Sequence, residues 1–174
     1  NTDSSIKTLS GSTKSKGVEV DITARPTTGL SIIAGYSYND MRYTKTSGLE
    51  GSFIVGDRLA KTPTNTANLS FFYTLQSGLL KGFSVGSSAN YIGKRVGGWN
   101  NQYKAAEPNG IFDRGIPLED YATVDVSAGY EWGKFSILCK LSNITNELNY
   151  TVHENYSVNP IAPRQVMTAL KYKF

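Results

Sequence analysis

The run Gly82-Phe83-Ser84-Val85-Gly86 spells G-x-S-x-G, with Asp125 and His153 following in the order of a hydrolase triad. That motif works only where a strand turns sharply into a helix and lifts the serine hydroxyl on a strained turn. Here apolar and small polar residues keep alternating through Ala89 and Tyr91, so Ser84 reads as an ordinary strand residue. His153 has only Glu154 beside it as a second metal-binding group, and one cysteine cannot complete a usual zinc set. Cys139 has no partner for an intrachain disulfide and falls on an apolar parity, where it acts as a small hydrophobe. N-x-[ST] sites at Asn68, Asn143, Asn149 and Asn155 carry meaning only in a eukaryotic secretory route. No catalytic set, cofactor or metal is expected, and the chain does not read as an enzyme.

Binding chemistry is better represented. Rings and cations gather between the regular segments: Arg42-Tyr43, Arg95, Trp99, Tyr103, Arg114, Tyr150 and Tyr156. Guanidinium groups and aromatic faces suit a planar, anionic, aromatic ligand through stacking and cation–π contact. Gly97-Gly98 and Asn100-Asn101 flank Trp99 and would let that segment bend over a captured molecule. The plainer reading is that these side chains pack loop against loop, or touch lipopolysaccharide.

The elements that hold these loops are strands. With 174 residues, one ordinary domain is allowed. Lys and Arg number 18 against 14 Asp and Glu, and charged residues make up 18%, below the ~25% usual for globular domains. No long run of like charge occurs, so nucleic acid is not an expected partner. No stretch approaches the ~20 apolar residues of a membrane-spanning helix. There is no leading Met, signal peptide or lipidation motif, so Asn1 reads as a start cut from something longer.

Seven segments alternate with period two: Gly17–Pro26, Leu30–Asn39, Ala67–Leu75, Phe83–Tyr91, Val124–Trp132, Phe135–Ser142 and Val166–Phe174. The charges Glu19, Asp21, Arg25, Asp125, Glu131, Lys140, Lys171 and Lys173 all share the polar parity. Connections alternate too. Short ones at Thr27–Gly29, Gln76–Gly82 and Gly133-Lys134 separate long ones at Tyr43–Pro63, Arg95–Asp120 and Ile144–Pro163, each of roughly twenty residues or more. Short turns at one rim and long loops at the other describe a transmembrane antiparallel β-barrel of the outer-membrane type. Hydrocarbon enforces the parity rule, since a Lys or Arg on the lipid face costs about 2–4 kcal/mol at the midplane.

The rings agree with that sidedness. Tyr130, Trp132, Phe135, Tyr172 and Phe174 would form the periplasmic girdle, and Tyr36, Tyr38, Tyr91 and Tyr121 the outer one. A soluble β-sandwich is the rival, favoured by Ile33, Phe72, Ile92, Leu138 and Met167 on the polar parity.

The run Ser15-Lys16-Gly17-Val18-Glu19-Val20, then Thr28-Gly29-Leu30 and Gly35-Tyr36-Ser37-Tyr38, resembles the C-terminal part of TonB-dependent outer-membrane receptors, especially ferric-siderophore receptors. Gly56-Asp57-Arg58 leading to Thr62-Pro63 and Asn68-Leu69 is similar, as are Tyr121-Ala122-Thr123-Val124-Asp125 and Gly129-Tyr130. Asn143-Ile144, Asn149-Tyr150, Pro163-Arg164 and terminal Phe174 extend the likeness over nearly the whole chain. The resemblance implies a 22-stranded barrel around an N-terminal plug, with residues 1–174 as its last seven strands. It also implies TonB, acting through a TonB box outside this chain, and the plug and remaining barrel as partners, with a bacterial outer-membrane location. Its ligand would be a ferric siderophore, contacted by Trp99, Tyr103, Arg95, Arg114, Arg42 and Tyr43. Ala162 stands where the family often has Gly, and Met167 and Ala169 depart from its terminal assembly signal. A passive porin is the alternative function.

Overall fold

The computed structural model describes residues 11–46, 54–99, 115–153 and 157–174. Seven long strands form one antiparallel sheet: β1 (Ser12–Ala24), β2 (Leu30–Lys45), β3 (Asn65–Thr74), β4 (Phe83–Ile92), β7 (Tyr121–Trp132), β8 (Phe135–Ser142) and β11 (Gln165–Tyr172). They pair in the order β1-β2-β3-β4-β7-β8-β11, each long strand beside its neighbour along the chain. The long connections are not plain loops as expected. Two carry hairpins: β5 (Arg95–Trp99) with β6 (Gly115–Leu118), and β9 (Tyr150–His153) with β10 (Ser157–Pro160).

Directly opposed residues of an antiparallel pair share a face. One row therefore runs Ala24, Ile32, Phe71, Ser87, Val126, Leu141, Val166 across the whole sheet. Another runs Val20, Tyr36, Ala67, Tyr91, Ala122. On the opposite face the rows read Asp21, Gly35, Asn68, Asn90, Thr123 and Thr23, Ile33, Ser70, Ser88, Asp125. Register thus turns the parity seen strand by strand into two continuous surfaces.

Among the described residues no hydrophobic side chain is buried, while Val18, Ile22, Phe71, Val166 and Leu170 stand exposed. A sandwich would cover such a face with a second sheet; here the sheet is a single layer. An uncovered apolar surface of this extent is what a lipid-facing wall presents. Two of the apolar residues on the charged face have local explanations. Phe72 lies over Gly86, where an added Cβ would sit 3.1 Å from the ring, and Leu138 leans on Gly129 with a corresponding distance of 3.4 Å. Both halves of the apparent hydrolase motif are thereby structural. Gly86 makes room for Phe72, and Gly82 holds φ +90° in the β3–β4 turn, where a Cβ would meet the Glu131 carbonyl. Ser84 pairs within the ladder, between Thr74 and Gly129.

The short-turn rim carries a continuous chain of rings. Centroids are 5.5 Å apart for Tyr130–Trp132, 5.9 Å for Trp132–Phe135, 4.8 Å for Phe135–Tyr172 and 5.1 Å for Tyr172–Phe174. Gly133, with φ +56°, opens the two-residue turn between β7 and β8, as a II′ hairpin requires. At the opposite rim Tyr36, Tyr38 and Tyr91 take the apolar face as expected. Tyr121 does not: it pairs with Ile92 on the charged face, because its odd position in β7 matches Asp125 and not Val124.

Candidate functional site

The long-connection rim is built outward from strand ends. At ~3.3 Å per residue, the 16 residues of β2 run about 50 Å, beyond the ~9–11 residues a tilted strand needs to cross a bilayer. β1 and β2, at 13 and 16 residues, therefore overhang the membrane, while the two hairpins follow β4 and β8, strands of 10 and 8 residues.

Arg95 organises it. Its side chain is 9% exposed. Nη1 donates to the Glu119 carbonyl at 3.0 Å, and Nη2 donates to Asn149 Oδ1 at 3.1 Å and to the Tyr150 carbonyl. The guanidinium also lies 5.3 Å from the centroid of Tyr121. One cation thereby ties the β5–β6 hairpin to the segment entering β9, over a ring at the mouth of the sheet. Asn149 is shaped for this, since its Oδ1 also accepts from the Tyr150 amide at 2.8 Å. The hairpins touch as well. A Cβ on Gly97 would stand 3.2 Å from Leu118 and 3.4 Å from Val152, so the glycine lets the hairpins approach closely without displacing either side chain. Gly97, Gly98, Ile116, Leu118, Tyr150, Val152 and Val158 line an apolar cleft of about 300 Å³ there. The preceding long connection joins in through Lys61 N–H, which donates to the Val96 carbonyl at 2.6 Å.

Beneath the rim, Asn143 anchors the third long connection. It is 4% exposed with φ +49°, and its Nδ2 donates to the Glu147 and Ala162 carbonyls at 3.0 and 2.9 Å. Its Oδ1 accepts from Glu147 N–H at 2.8 Å, and its own amide donates to Asp125 Oδ1 at 2.9 Å. Asp125 in turn meets Lys140 at 2.8 Å across β7 and β8. Asn146, with φ +54°, accepts from the Arg164 amide at 3.0 Å. The signal for these anchors was present as Asn-x-x-Asn just after a strand, because Asn tolerates the left-handed region and can serve both backbone groups.

The expected binding residues separate into groups. Arg95 is committed to holding the rim. Arg42 donates from Nε to the Asp40 carboxylate at 3.0 and 2.9 Å and from Nη1 to the Gly56 carbonyl at 2.9 Å. That bond from Arg42 holds the Asp40 carboxyl below its usual range. Tyr43 exchanges backbone bonds with Gly56 and Asp57, and burial followed by the Asp57 charge pushes its phenol up. Arg42 and Tyr43 line a separate cleft from the one between the hairpins. Trp99 ends β5 opposite Gly115, while Tyr103, Arg114 and Tyr156 lie outside the described residues. His153 sits opposite Ser157 in β9, and Glu154 lies outside the described residues. Among the described residues no cluster of three His, Cys, Asp or Glu side chains could hold a metal ion.

Residues 1–146 match the family model for the TonB dependent receptor-like β-barrel. The ferrioxamine B receptor of Salmonella typhimurium is 28% identical over 80% of this chain and 17% of its own length. The ferrichrome outer membrane transporter/phage receptor of Escherichia coli is 23% identical over 94% of this chain and 20% of its own. The chain thus spans about a fifth of the length of the curated relatives it matches. Two solved structures share the fold. The ferripyoverdine receptor of Pseudomonas aeruginosa has a TM-score of 0.71 at 24% identity, covering 93% of this chain and 20% of that one. The ferric preacinetobactin receptor of Acinetobacter baumannii gives 0.76 at 19%, covering 95% and 23%. The single-layered wall, apolar on one face between its girdles and polar on the other, agrees with the β-barrel family match, which places the protein in the bacterial outer membrane. The chain belongs to the TonB-dependent receptor β-barrel family.

Proposed function

We propose that this chain is the C-terminal wall of a TonB-dependent receptor that captures a ferric siderophore at the cell surface and admits it through the barrel. The observation that carries this reading is the braced outer rim. Arg95, Asn149 and the Gly97 contact hold two hairpins over the polar face of the sheet, where a receptor needs a preformed mouth. The curated relatives, named for ferrioxamine B and ferrichrome, support a hydroxamate iron complex as the ligand class. The free edges of β1 and β11 cannot stay unpaired in hydrocarbon, so the other strands of a 22-stranded barrel would complete them. A plug would gate the conduit, drawing force from TonB through the TonB box. Trp99, Tyr103 and Arg114 would contact the ligand, and Arg95 would hold the start of β5 against the segment entering β9. No bound cofactor is required.

Uptake of radiolabelled ferric ferrioxamine B by cells carrying the full receptor tests this. Uptake should cease when the inner membrane is de-energised or TonB is removed. Uptake that continues without energy would favour the passive porin instead. Equilibrium binding of the same complex to Trp99→Ala and Tyr103→Ala receptors tests the site. Unchanged affinity in both would remove those rings from it.

A further inference from the structure

Apolar side chains at the short-turn rim do not stop where the strands end. Leu79 and Leu80 stand in the β3–β4 turn, Leu79 fully exposed and Leu80 59% exposed. The other two short turns, Thr27–Gly29 and Gly133-Lys134, hold no apolar side chain. Backbone bonds hold the tip in shape. Leu75 N–H donates to the Phe83 carbonyl at 2.8 Å, and the Leu75 carbonyl accepts from Gly82 N–H at 2.9 Å, which closes the base of the turn. Beyond that base, Lys81 N–H donates to the Gly78 carbonyl at 3.2 Å and Phe83 N–H to the Leu80 carbonyl at 2.9 Å. The left-handed backbone this path needs falls on Gly78 and Gly82, at φ +83° and +90°. Two leucines are thus presented on a bonded scaffold.

Their depth follows from strand arithmetic. The apolar band of an outer-membrane wall is about 25 Å tall; strands tilted roughly 40° and rising ~3.3 Å per residue cross it in about ten residues. Ala67 lies in the outer tyrosine row, between Tyr36 and Tyr91. About ten residues further along β3 the chain reaches Ser77, so Leu79 and Leu80 lie at the inner edge of the hydrocarbon. The rings give the same level, since Lys81 and Gly82 line one cleft with Tyr130, Trp132 and Gly133. The lipid-facing surface also leads into the turn from both sides. Leu75 meets Phe83 through the bond above, and Phe83 continues the row Tyr130, Ile137, Leu170.

We propose that the β3–β4 turn is an anchor in the inner leaflet of the outer membrane, with Leu79 and Leu80 inserted among phospholipid acyl chains. The apolar medium nearest the pair is the one that already covers Leu75 and Phe83, and insertion extends that contact by one turn. Lys81, exposed beside the leucines, would keep its ammonium among the lipid phosphates, as long cations do at a membrane interface. The inference needs only the outer-membrane location and is independent of which nutrient is carried.

The test uses the full receptor in phosphatidylcholine vesicles, with its native cysteines replaced by alanine and a nitroxide label placed at Leu79→Cys. Leu170→Cys, exposed on the lipid face, and Thr28→Cys, in the β1–β2 turn, are the controls. Collisions with oxygen, which concentrates in lipid, are compared with collisions with a water-soluble nickel chelate. The oxygen-to-nickel ratio at position 79 should approach that at position 170 and exceed that at position 28 about tenfold. An unlabelled Leu79→Ser/Leu80→Ser receptor should fold into the same vesicles about tenfold less favourably than the parent, as partial burial of two leucines implies. Thr27→Ser/Thr28→Ser should leave that equilibrium unchanged. A label reached freely by nickel would put the pair in the periplasm, and one reached by neither reagent would put it against the plug or another protein; each result overturns the proposal. So would an unchanged folding equilibrium in the double serine variant.

Discussion

Replacing Arg95 by Ala removes three donated hydrogen bonds and the cation over Tyr121 in one step. A hydrogen bond to a charged group is worth about 1.5–3 kcal/mol net, and a desolvated cation–π contact adds roughly 0.5–2. The simple sum overstates the loss, because the rim can admit water to the freed Glu119 and Tyr150 carbonyls. A cost of about 3 kcal/mol to the closed rim is the consistent expectation, at the low end for breaking a buried charged contact. At 1.4 kcal/mol per tenfold, that raises the open population roughly a hundredfold. Hydrogen exchange on the full receptor reads this directly. Amides of β5, β6, β9 and β10 should lose about two decades of protection together, while those of β7 and β8 keep theirs. Arg95→Lys should recover only part, since one ammonium cannot span acceptors on two segments as a planar fork does. Unchanged exchange in both hairpins would refute the bracing role. Loss confined to β5–β6 would refute the coupling of the two.

The remaining expectations concern the wall and its anchors. Val20→Lys, on the charge-free face, should destabilise folding into bilayers by about 2–4 kcal/mol, whereas Glu19→Lys on the polar face should change it by under about 1. Equal effects in vesicle refolding titrations would mean that Val20 does not face lipid. Asn143→Ala strips a buried side chain from the Glu147 and Ala162 carbonyls and should cost about 2–4 kcal/mol. The result should be a lower temperature of heat-induced unfolding on gels, and an unshifted transition would show that the turn holds without it. The Arg42 bond lowers the Asp40 pKa, so its stabilisation is complete above the ordinary carboxylate range near pH ~4 and fades as pH falls through the lowered value. Exchange protection of the Gly56 and Leu59 amides, corrected for intrinsic rates, should therefore stay flat from about pH 5 to 8 and drop only in acid. A change near neutrality would point to another group.

Much of the wall is legible in the sequence because membrane physics acts residue by residue. A strand exposes alternate side chains to two solvents, and hydrocarbon tolerates no charge, so Val18, Val20 and Ile22 against Glu19 and Asp21 state both strand and face without any neighbour. Ring positions at strand ends and the alternation of short and long connections follow from the same constraint. Tyr121 shows the limit of reading rings by type: parity put it on the polar face, where Arg95 covers it. The rim depended on contacts far apart in the chain. Nothing near Arg95 announces that its acceptors are Glu119, Asn149 and Tyr150, and a cation among aromatics reads equally well as a ligand contact. Arg42 likewise read as a loop cation until the register of β1 on β2 placed it within β2, opposite Lys14. Sequence alone determined which face each strand turns to lipid, since that depends on a local period of two. Tertiary structure decided what the loop cations do, because a guanidinium's role is fixed by whichever carbonyls the folded chain brings to it.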